Sequence, residues 1–119
     1  MDVENGERFR NLRAWQKAHE LVIELYALPR RLPAQERFIL IPQFLRAAVS
    51  VAANLAEDTK RRSIADQKHF FNMAETSLEE VKYYLFLMLD LHYLTEDEYG
   101  KLLAIARDSG RLINGLIHR

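Results

Sequence analysis

Apolar residues recur along this chain at steps of three and four, which is the period of an α-helix. The longest series of this spacing starts at the polar Gln67 and continues with six apolar residues, Phe71, Ala74, Leu78, Val81, Leu85 and Met88. Shorter series of the same period begin at Trp15 and Leu102, and no strand-like alternation competes with them. Short links between helices favour antiparallel neighbours. The pattern therefore predicts an all-α, antiparallel up-down-up-down four-helix bundle, with helices at roughly residues 11–28, 42–58, 64–92 and 96–118.

Residues with strong preferences for helix ends set these boundaries. The predicted starts are marked by Asn11, Pro42, Ser63 and Thr95. Glu98 follows Thr95 by three residues, which is the spacing of a capping box, and Asp66 stands in the same relation to Ser63. Pro29 disfavours helix at the residue before it. We expect one domain over residues 1–119, with residues 1–8 as a flexible lead.

The predicted second helix has a narrow polar stripe and an unusually wide apolar surface. On a helical wheel five polar residues fall within an arc of roughly 80°, and apolar residues cover the rest. We call these five the polar stripe: Gln43, Arg46, Ser50, Asn54 and Glu57. An ordinary surface helix needs an apolar face only somewhat wider than about 100°. Either neighbouring helices approach closely on both sides, or one face packs against a second copy, which we favour.

The polar stripe itself has two interpretations. In the first, Arg46 and Glu57 are structural ions that pair with other helices, and Asn54 satisfies buried polar groups. In the second, the stripe lines a site or a pore. We favour the structural role. Charged substitutions at three alanines, Ala48, Ala52 and Ala53, are expected to disrupt either the bundle or an interface between copies.

The same stretch, QFLRAAVSVAANLAED at residues 43–58, resembles the signature of a known family. This family comprises the small four-helix bundles first noticed as open reading frames in intervening sequences of bacterial 23S rRNA genes. Matching residues elsewhere in the chain are Leu12, Trp15, Gln16, Ala18, Tyr26, Arg61, Ser63, Ala74, Ser77, Glu80 and Val81. The chain departs from the pattern at Asp58, where the family has Gly, and at Pro42, where Ser or Thr is common.

This resemblance implies a bundle that assembles into rings, typically pentamers. A relative of the family, the accessory protein of diversity-generating retroelements, forms a basic pentameric barrel that binds nucleic acid and a reverse transcriptase. For most members no activity is established. The resemblance therefore implies a homo-oligomer more firmly than it implies a partner.

Composition narrows the possible functions. The chain has no Cys, and no apolar stretch approaches the ~20 residues of a membrane-spanning helix. The polar N-terminus also lacks the apolar centre of a signal peptide, so we expect a cytoplasmic protein without membrane contact. The 17 basic residues balance 17 acidic ones, although residues 1–62 carry 11 basic and 8 acidic residues. A dedicated nucleic-acid binder usually has a clear basic excess.

No pattern of catalytic or cofactor-binding residues is present. Asp66 and His69 form the only acidic-x-x-His pair, whereas a di-iron bundle uses two Glu-x-x-His pairs and two further Glu. Glu79 and Glu80 are adjacent, so they point about 100° apart on a helix and cannot face each other. We therefore expect a protein that is not an enzyme and that binds neither metal nor cofactor.

Three basic clusters are candidates for nucleic-acid contact. They are Arg8, Arg10, Arg13 and Lys17; Arg30 and Arg31 with Arg37; and Lys60, Arg61 and Arg62. In a ring each cluster would be repeated once per subunit. A protein partner is the rival, with Tyr83, Tyr84 or Tyr93 as possible anchors. The sequence thus predicts an oligomeric binding or scaffold module, with a nucleic-acid-binding accessory protein as the alternative.

Overall fold

Four helices account for most of the chain in the computed structural model, which describes residues 5–118, with side chains from residue 8. They are α1 (Arg13–Tyr26), α2 (Leu40–Asp58), α3 (Ile64–Asp90) and α4 (Glu96–Ile117). Each helix packs against its neighbours in sequence, and α4 returns beside α1, so that the bundle is elongated, with extents of 44 × 26 × 24 Å. The described residues contain no strand, and the predicted all-α four-helix bundle is confirmed.

The first helix begins later than predicted. Asn11 is not its N-cap, because residues Asn5–Asn11 form a 3-10 helix and Leu12 precedes α1 without a side-chain capping bond. The predicted flexible lead covers residues 1–8, of which residues 1–4 lie outside the described part of the chain. At its other end α1 stops at Tyr26, two residues before the predicted boundary.

The start of α2 was also predicted wrongly, since the helix begins at Leu40 and Pro42 occupies its third position. Proline is tolerated there because the first four N–H groups of a helix have no acceptor within the helix. Between α1 and α2 the chain forms two short 3-10 helices, Pro29–Arg31 and Ala34–Phe38. We call residues 27–39 the connector.

The last turn of α3 ends two residues early because the backbone reverses at His92, where φ is 64°. The N–H of Tyr93 donates to the carbonyl of Met88 at 2.8 Å, and that of His92 donates to Leu89 at 3.0 Å. These two bonds form a Schellman motif, which satisfies carbonyls that the helix leaves unpaired. The motif turns the chain directly towards α4.

The two predicted capping residues of α3 and α4 are confirmed. The Ser63 hydroxyl accepts from the Asp66 N–H at 3.1 Å. Thr95 forms a complete capping box, because its hydroxyl accepts from the Glu98 N–H at 3.1 Å and its own N–H donates to the Glu98 carboxylate at 2.9 Å. Both helices therefore start where the sequence pattern places them.

The core follows the predicted periodicity. Six of the seven residues in the α3 series are buried, and the seventh, Gln67, is half-buried at the end of the bundle. Helix α2 contributes five residues that are fully enclosed: Phe44, Ala47, Ala48, Val51 and Leu55. The alanines allow the other helices to approach α2 closely.

The antiparallel arrangement gives the bundle two distinct ends. At the connector end, the Tyr93 hydroxyl donates to Glu36 at 2.7 Å, which joins the connector to the α3–α4 turn. At the opposite end, which we call the basic end, the guanidinium of Arg8 donates to the carbonyl of Thr59 at 3.2 Å. This bond joins the N-terminal 3-10 helix to the turn between α2 and α3.

Candidate functional site

The polar stripe of α2 lies along the seam with α3, where most of its members are bonded. Arg46 donates to Glu80 of α3 at 3.1 Å and to Gln43 at 3.0 Å. The Tyr84 hydroxyl donates to the same Glu80 oxygen at 2.9 Å. These contacts match the interpretation of Arg46 as a structural ion that pairs with another helix. However, its side chain is 62% exposed, so this is a surface ion pair.

Further along the seam the stripe becomes half-buried and uncharged. The hydroxyls of Ser50 and Ser77 lie 2.8 Å apart, which links α2 to α3. The Asn54 side chain donates to the Ser50 carbonyl at 2.9 Å, within its own helix. Asn54 thus satisfies a polar group at the seam, as the structural interpretation of the stripe expects.

The prediction that Glu57 pairs with another helix is wrong. Its carboxylate pairs with Arg61, four residues later in the turn after α2, rather than with another helix. Residues four apart are neighbours on a helical surface, so the local partner is reached without crossing the seam. The Arg61 guanidinium in turn lies 4.7 Å from the centre of the Phe70 ring on α3. The Glu57–Arg61 pair therefore lies at the basic end of the contact between α2 and α3.

A second flank of α2, around Val49 and Ala53, is apolar but is not buried in the core. Ala48 and Ala52 are buried in the bundle, but Val49 and Ala53 are exposed and Leu45 is half-buried. The excess of apolar surface predicted from the helical wheel is therefore present. Of the three alanines singled out in the sequence, Ala53 alone faces solvent in the single chain.

Helix α1 carries a matching flank. Glu24 of α1 and Leu28 of the connector line a cleft with Leu102 and Ile105 of α4, so the side of α1 that bears Glu24 faces α4. On a helical wheel the opposite side, towards α2, bears Trp15, His19, Ile23 and Tyr26. Trp15 is half-buried and the other three are exposed. The two helices thus present adjoining surfaces that are largely apolar.

Exposed apolar side chains are concentrated at the connector end. Phe38 is 84% exposed and Ile39 is 66% exposed, immediately before α2. The other large exposed hydrophobic residues near this end are Ile23, Tyr26, Tyr83, Phe86 and Leu91. At the basic end and in the adjoining half of α3 they are Ile64 and Met73. The asymmetry marks the connector end as a candidate interface.

The structure brings two of the three basic clusters together. The bond from Arg8 to Thr59 places the N-terminal cluster beside the cluster at residues 60–62. The third cluster lies at the other end of the bundle, where Arg31 pairs with Glu98 of α4. Within the N-terminal cluster Lys17 pairs with Glu20 at 3.1 Å. Arg30 and Arg31 therefore do not extend the basic surface.

A row of aromatic rings lies beside the basic clusters and was not singled out in the sequence. The rings of Phe9 and Trp15 meet edge to face, with centroids 5.0 Å apart. The ring of His19 stacks on Trp15 with centroids 4.7 Å apart and planes inclined by 10°. We call these three residues the aromatic row. The spacing of four residues between Trp15 and His19 was the available signal, since it places both on one helical face.

Of the three candidate tyrosine anchors, only Tyr83 is exposed. Burial and the hydrogen bond to Glu80 raise the pKa of Tyr84 above its ordinary value. The hydrogen bond to Glu36, together with burial, raises the pKa of Tyr93. Both hydroxyls hold elements of the bundle together, so the two residues are structural.

No cluster of acidic, His or Cys side chains suited to a metal ion occurs among residues 8–118. Asp66 and His69, the acidic-x-x-His pair, both lie exposed on α3. None of the described helices is long and apolar enough to cross a membrane. The candidate functional features among the described residues are two surfaces, one at each end of the bundle.

Comparison with known proteins places these features in a family. The sequence pattern of the family described as 23S rRNA-intervening sequence protein matches residues 10–115. Solved structures that match include a protein of unknown function from the S23 ribosomal protein family of Bacteroides thetaiotaomicron VPI-5482. It is 25% identical, with a TM-score of 0.82, over 89% of this chain and 99% of the other. The comparison with curated proteins gave no match. The chain belongs to the family of 23S rRNA-intervening sequence proteins.

Proposed function

We propose that this protein is a non-enzymatic homo-oligomer that acts as a binding or scaffold module in the cytoplasm. The single observation that carries the proposal is the concentration of exposed apolar side chains at the connector end. Exposed large apolar side chains gathered at one end of a bundle are candidates for a site of association. In the proposed assembly, the connector end contacts neighbouring copies, together with Ile23 and Tyr26 of α1 and the exposed flank of α2 around Val49 and Ala53.

The connector is suited to such a contact because its backbone is held in place. Leu28 and Leu32 are buried in the bundle, and Glu36 is bonded to Tyr93. Phe38 and Ile39 therefore project from an anchored segment. Burying a large apolar side chain stabilises a complex by about 1.5–3 kcal/mol. Several such residues in each copy would support a stable interface.

The ring size that we propose is a pentamer, which the family resemblance implies. Five copies of the 14.0 kDa chain would have a mass of about 70 kDa. A ring needs two different surfaces on each copy that fit each other. The connector end and the exposed flank around Val49 and Ala53 of α2 are the two candidates that support this arrangement.

Sedimentation velocity of the whole protein and two variants tests the proposal. We expect wild type to sediment as a species several times the 14.0 kDa monomer. Phe38→Glu should shift it to smaller species while circular dichroism stays helical. Ile64→Glu is the matched control, because Ile64 is 71% exposed at the basic end. A wild type that is monomeric at micromolar concentration would overturn the proposal.

A second candidate function is nucleic-acid contact at the basic end, as an accessory protein to an RNA or a reverse transcriptase. The observation that favours it is the bond between Arg8 and Thr59, because it unites two basic clusters on one surface. Phosphate contacts release counterions, so binding should weaken steeply with salt. Binding of an oligonucleotide that does not change with salt concentration would contradict this candidate.

A further inference from the structure

We propose that the basic end binds single-stranded nucleic acid by stacking unpaired bases on the aromatic row of Phe9, Trp15 and His19. This inference rests on the second candidate function and adds the class of nucleic acid and the residues that select it. It starts from a feature that charge alone does not explain: a stack of rings beside the two united basic clusters.

The geometry of the row suits a platform for bases. Trp15 and His19 are nearly parallel, with an interplanar angle of 10°, and Phe9 contacts Trp15 edge to face, with centroids 5.0 Å apart. His19 is exposed, whereas Phe9 and Trp15 are half-buried. The inner rings thus support the outer one, and an unpaired base can extend the stack at His19. Base–aromatic stacking tolerates any sequence, because every base has a π-face.

Basic residues border the row on the N-terminal side. Arg8 and Arg10 flank Phe9 in the chain. The Gln16 side-chain amide donates to the Arg10 carbonyl at 2.7 Å, and this bond joins the segment to α1. The Arg8–Thr59 bond brings Lys60 and Arg62 to the same end. Both of these side chains are exposed. A strand whose bases stack on the row would thus have its phosphates beside this cluster.

The charge of this end is reduced by local ion pairs, which argues against tight binding by charge alone. Glu57 pairs with Arg61, and Glu20 pairs with Lys17. With fewer phosphate contacts available, base stacking would supply a larger share of the affinity. The bases of a duplex are already stacked on each other, so the row would discriminate in favour of single strands.

Trp15 provides a local probe because it is the only tryptophan in the chain. The whole protein is titrated with twelve-nucleotide oligo(U), oligo(dT), a hairpin duplex and polyphosphate. Trp15 emission reports contact with the row, and anisotropy of a labelled oligonucleotide reports affinity. We expect both single strands to quench Trp15 and to bind more tightly than the duplex, whereas polyphosphate leaves the emission unchanged. Oligo(dU), which has the same base as oligo(U), is titrated as well, and a difference between these two would separate RNA from DNA as the preferred ligand.

Variants separate stacking from charge. His19→Ala should weaken oligo(U) binding about fivefold or more and leave polyphosphate binding unchanged, and His19→Phe should restore oligo(U) binding. His92→Asn is the matched control, since His92 lies exposed at the connector end and Asn tolerates its left-handed backbone. Lys60→Gln with Arg62→Gln should weaken the binding of every anion.

The outcomes distinguish this inference from the function on which it rests. If the charge variants weaken binding but His19→Ala does not, stacking is overturned while nucleic-acid contact stands. Equal affinity for duplex and single strand, without quenching of Trp15, would also overturn stacking and leave nucleic-acid contact standing. If no oligonucleotide binds at low salt, both the inference and the second candidate function fail.

Discussion

The two ends of this bundle differ in the side chains that they expose to solvent and in the contacts that hold their backbones in place. At the basic end, the exposed residues are mostly polar or charged, and the Arg8–Thr59 bond and the Glu57–Arg61 pair join neighbouring segments. At the connector end, buried leucines fix the backbone, but Phe38 and Ile39 project into solvent.

The difference fits the proposal that the two ends contact different partners. Exposed charged side chains are well solvated, so those of the basic end gain from a ligand chiefly when that ligand is anionic. Exposed apolar side chains gain free energy from any contact that removes them from water. The connector end is therefore the part of the molecule that a single chain leaves incomplete.

The largest expected effect separates the core of α2 from its exposed flank. Ala48→Glu places a charge at a fully enclosed position and should destabilise the bundle by several kcal/mol, roughly the 3–5 kcal/mol of a stranded buried charge. Ala53→Glu should leave the thermal midpoint close to that of wild type and reduce the size of the assembly. Thermal melts and light scattering of both variants check this. Similar melting of the two variants would contradict the assignment of Ala53 to the exposed flank.

The next effect tests whether the connector is anchored. Leu32 is 7% exposed, so Leu32→Ala should cost about 2–5 kcal/mol of unfolding free energy, because it removes a buried side chain and leaves a cavity. Urea denaturation measures the change. Pro33→Ala, at an exposed neighbour in the same connector, is the control. A loss below 1 kcal/mol for Leu32→Ala would mean that the connector contributes little to the fold.

A smaller effect is expected in the seam between α2 and α3. Arg46 and Glu80 are 62% and 37% exposed, so a double-mutant cycle should give a coupling of about 0.2–1 kcal/mol. The measurement uses Arg46→Ala, Glu80→Ala and the double variant. A coupling above 3 kcal/mol would mean that the pair is desolvated in the assembled protein. The polar stripe would then belong to an interface between copies.

The smallest effect concerns the capping box at the connector end. The hydrogen bond to the Thr95 N–H, and secondarily Arg31, lowers the pKa of Glu98 below its ordinary value of 4.5. A lowered folded-state pKa contributes stability above the unfolded value, and this contribution is lost as the pH falls through the folded pKa. Glu98→Gln keeps a capping side chain but cannot titrate, so its stability should depend less on pH below 4.5 than that of wild type. Melts at pH 3 and pH 7 would contradict this if both proteins lost stability equally.

Periodicity and capping residues were enough to predict the helices, but not their partners. Ser63 and Thr95 act on the residues three positions later, so their roles are local and follow from the sequence. Asn11 has the same preference, but it lies within the 3-10 helix before α1 and has no capping role. No pattern in the sequence indicates that 3-10 helix. The capping residues predict a helix start correctly where they themselves have an extended backbone, as Ser63 and Thr95 do.

The residues that form the candidate surfaces could be identified from the sequence, but their positions in the folded bundle could not. The helical wheel identified the excess apolar surface of α2, but whether Ala48 or Ala53 faces the core depends on how the other helices pack. The union of two basic clusters depends on one contact across 51 residues, from Arg8 to Thr59. For Glu57 the error is the opposite one: a partner on another helix was expected, but its partner Arg61 lies only four residues away in the chain.

Hydroxyl-radical footprinting of the whole protein tests the central claim, that the connector end is covered by other copies and the basic end is not. Tyr26 and Phe38 are 56% and 84% exposed in the single chain, and Met73, in the basic half of α3, is 42% exposed. The account predicts slow oxidation of Tyr26 and Phe38 at micromolar concentration, faster oxidation on dilution, and rapid oxidation of Met73 throughout. Rapid oxidation of Phe38 at every concentration would contradict it.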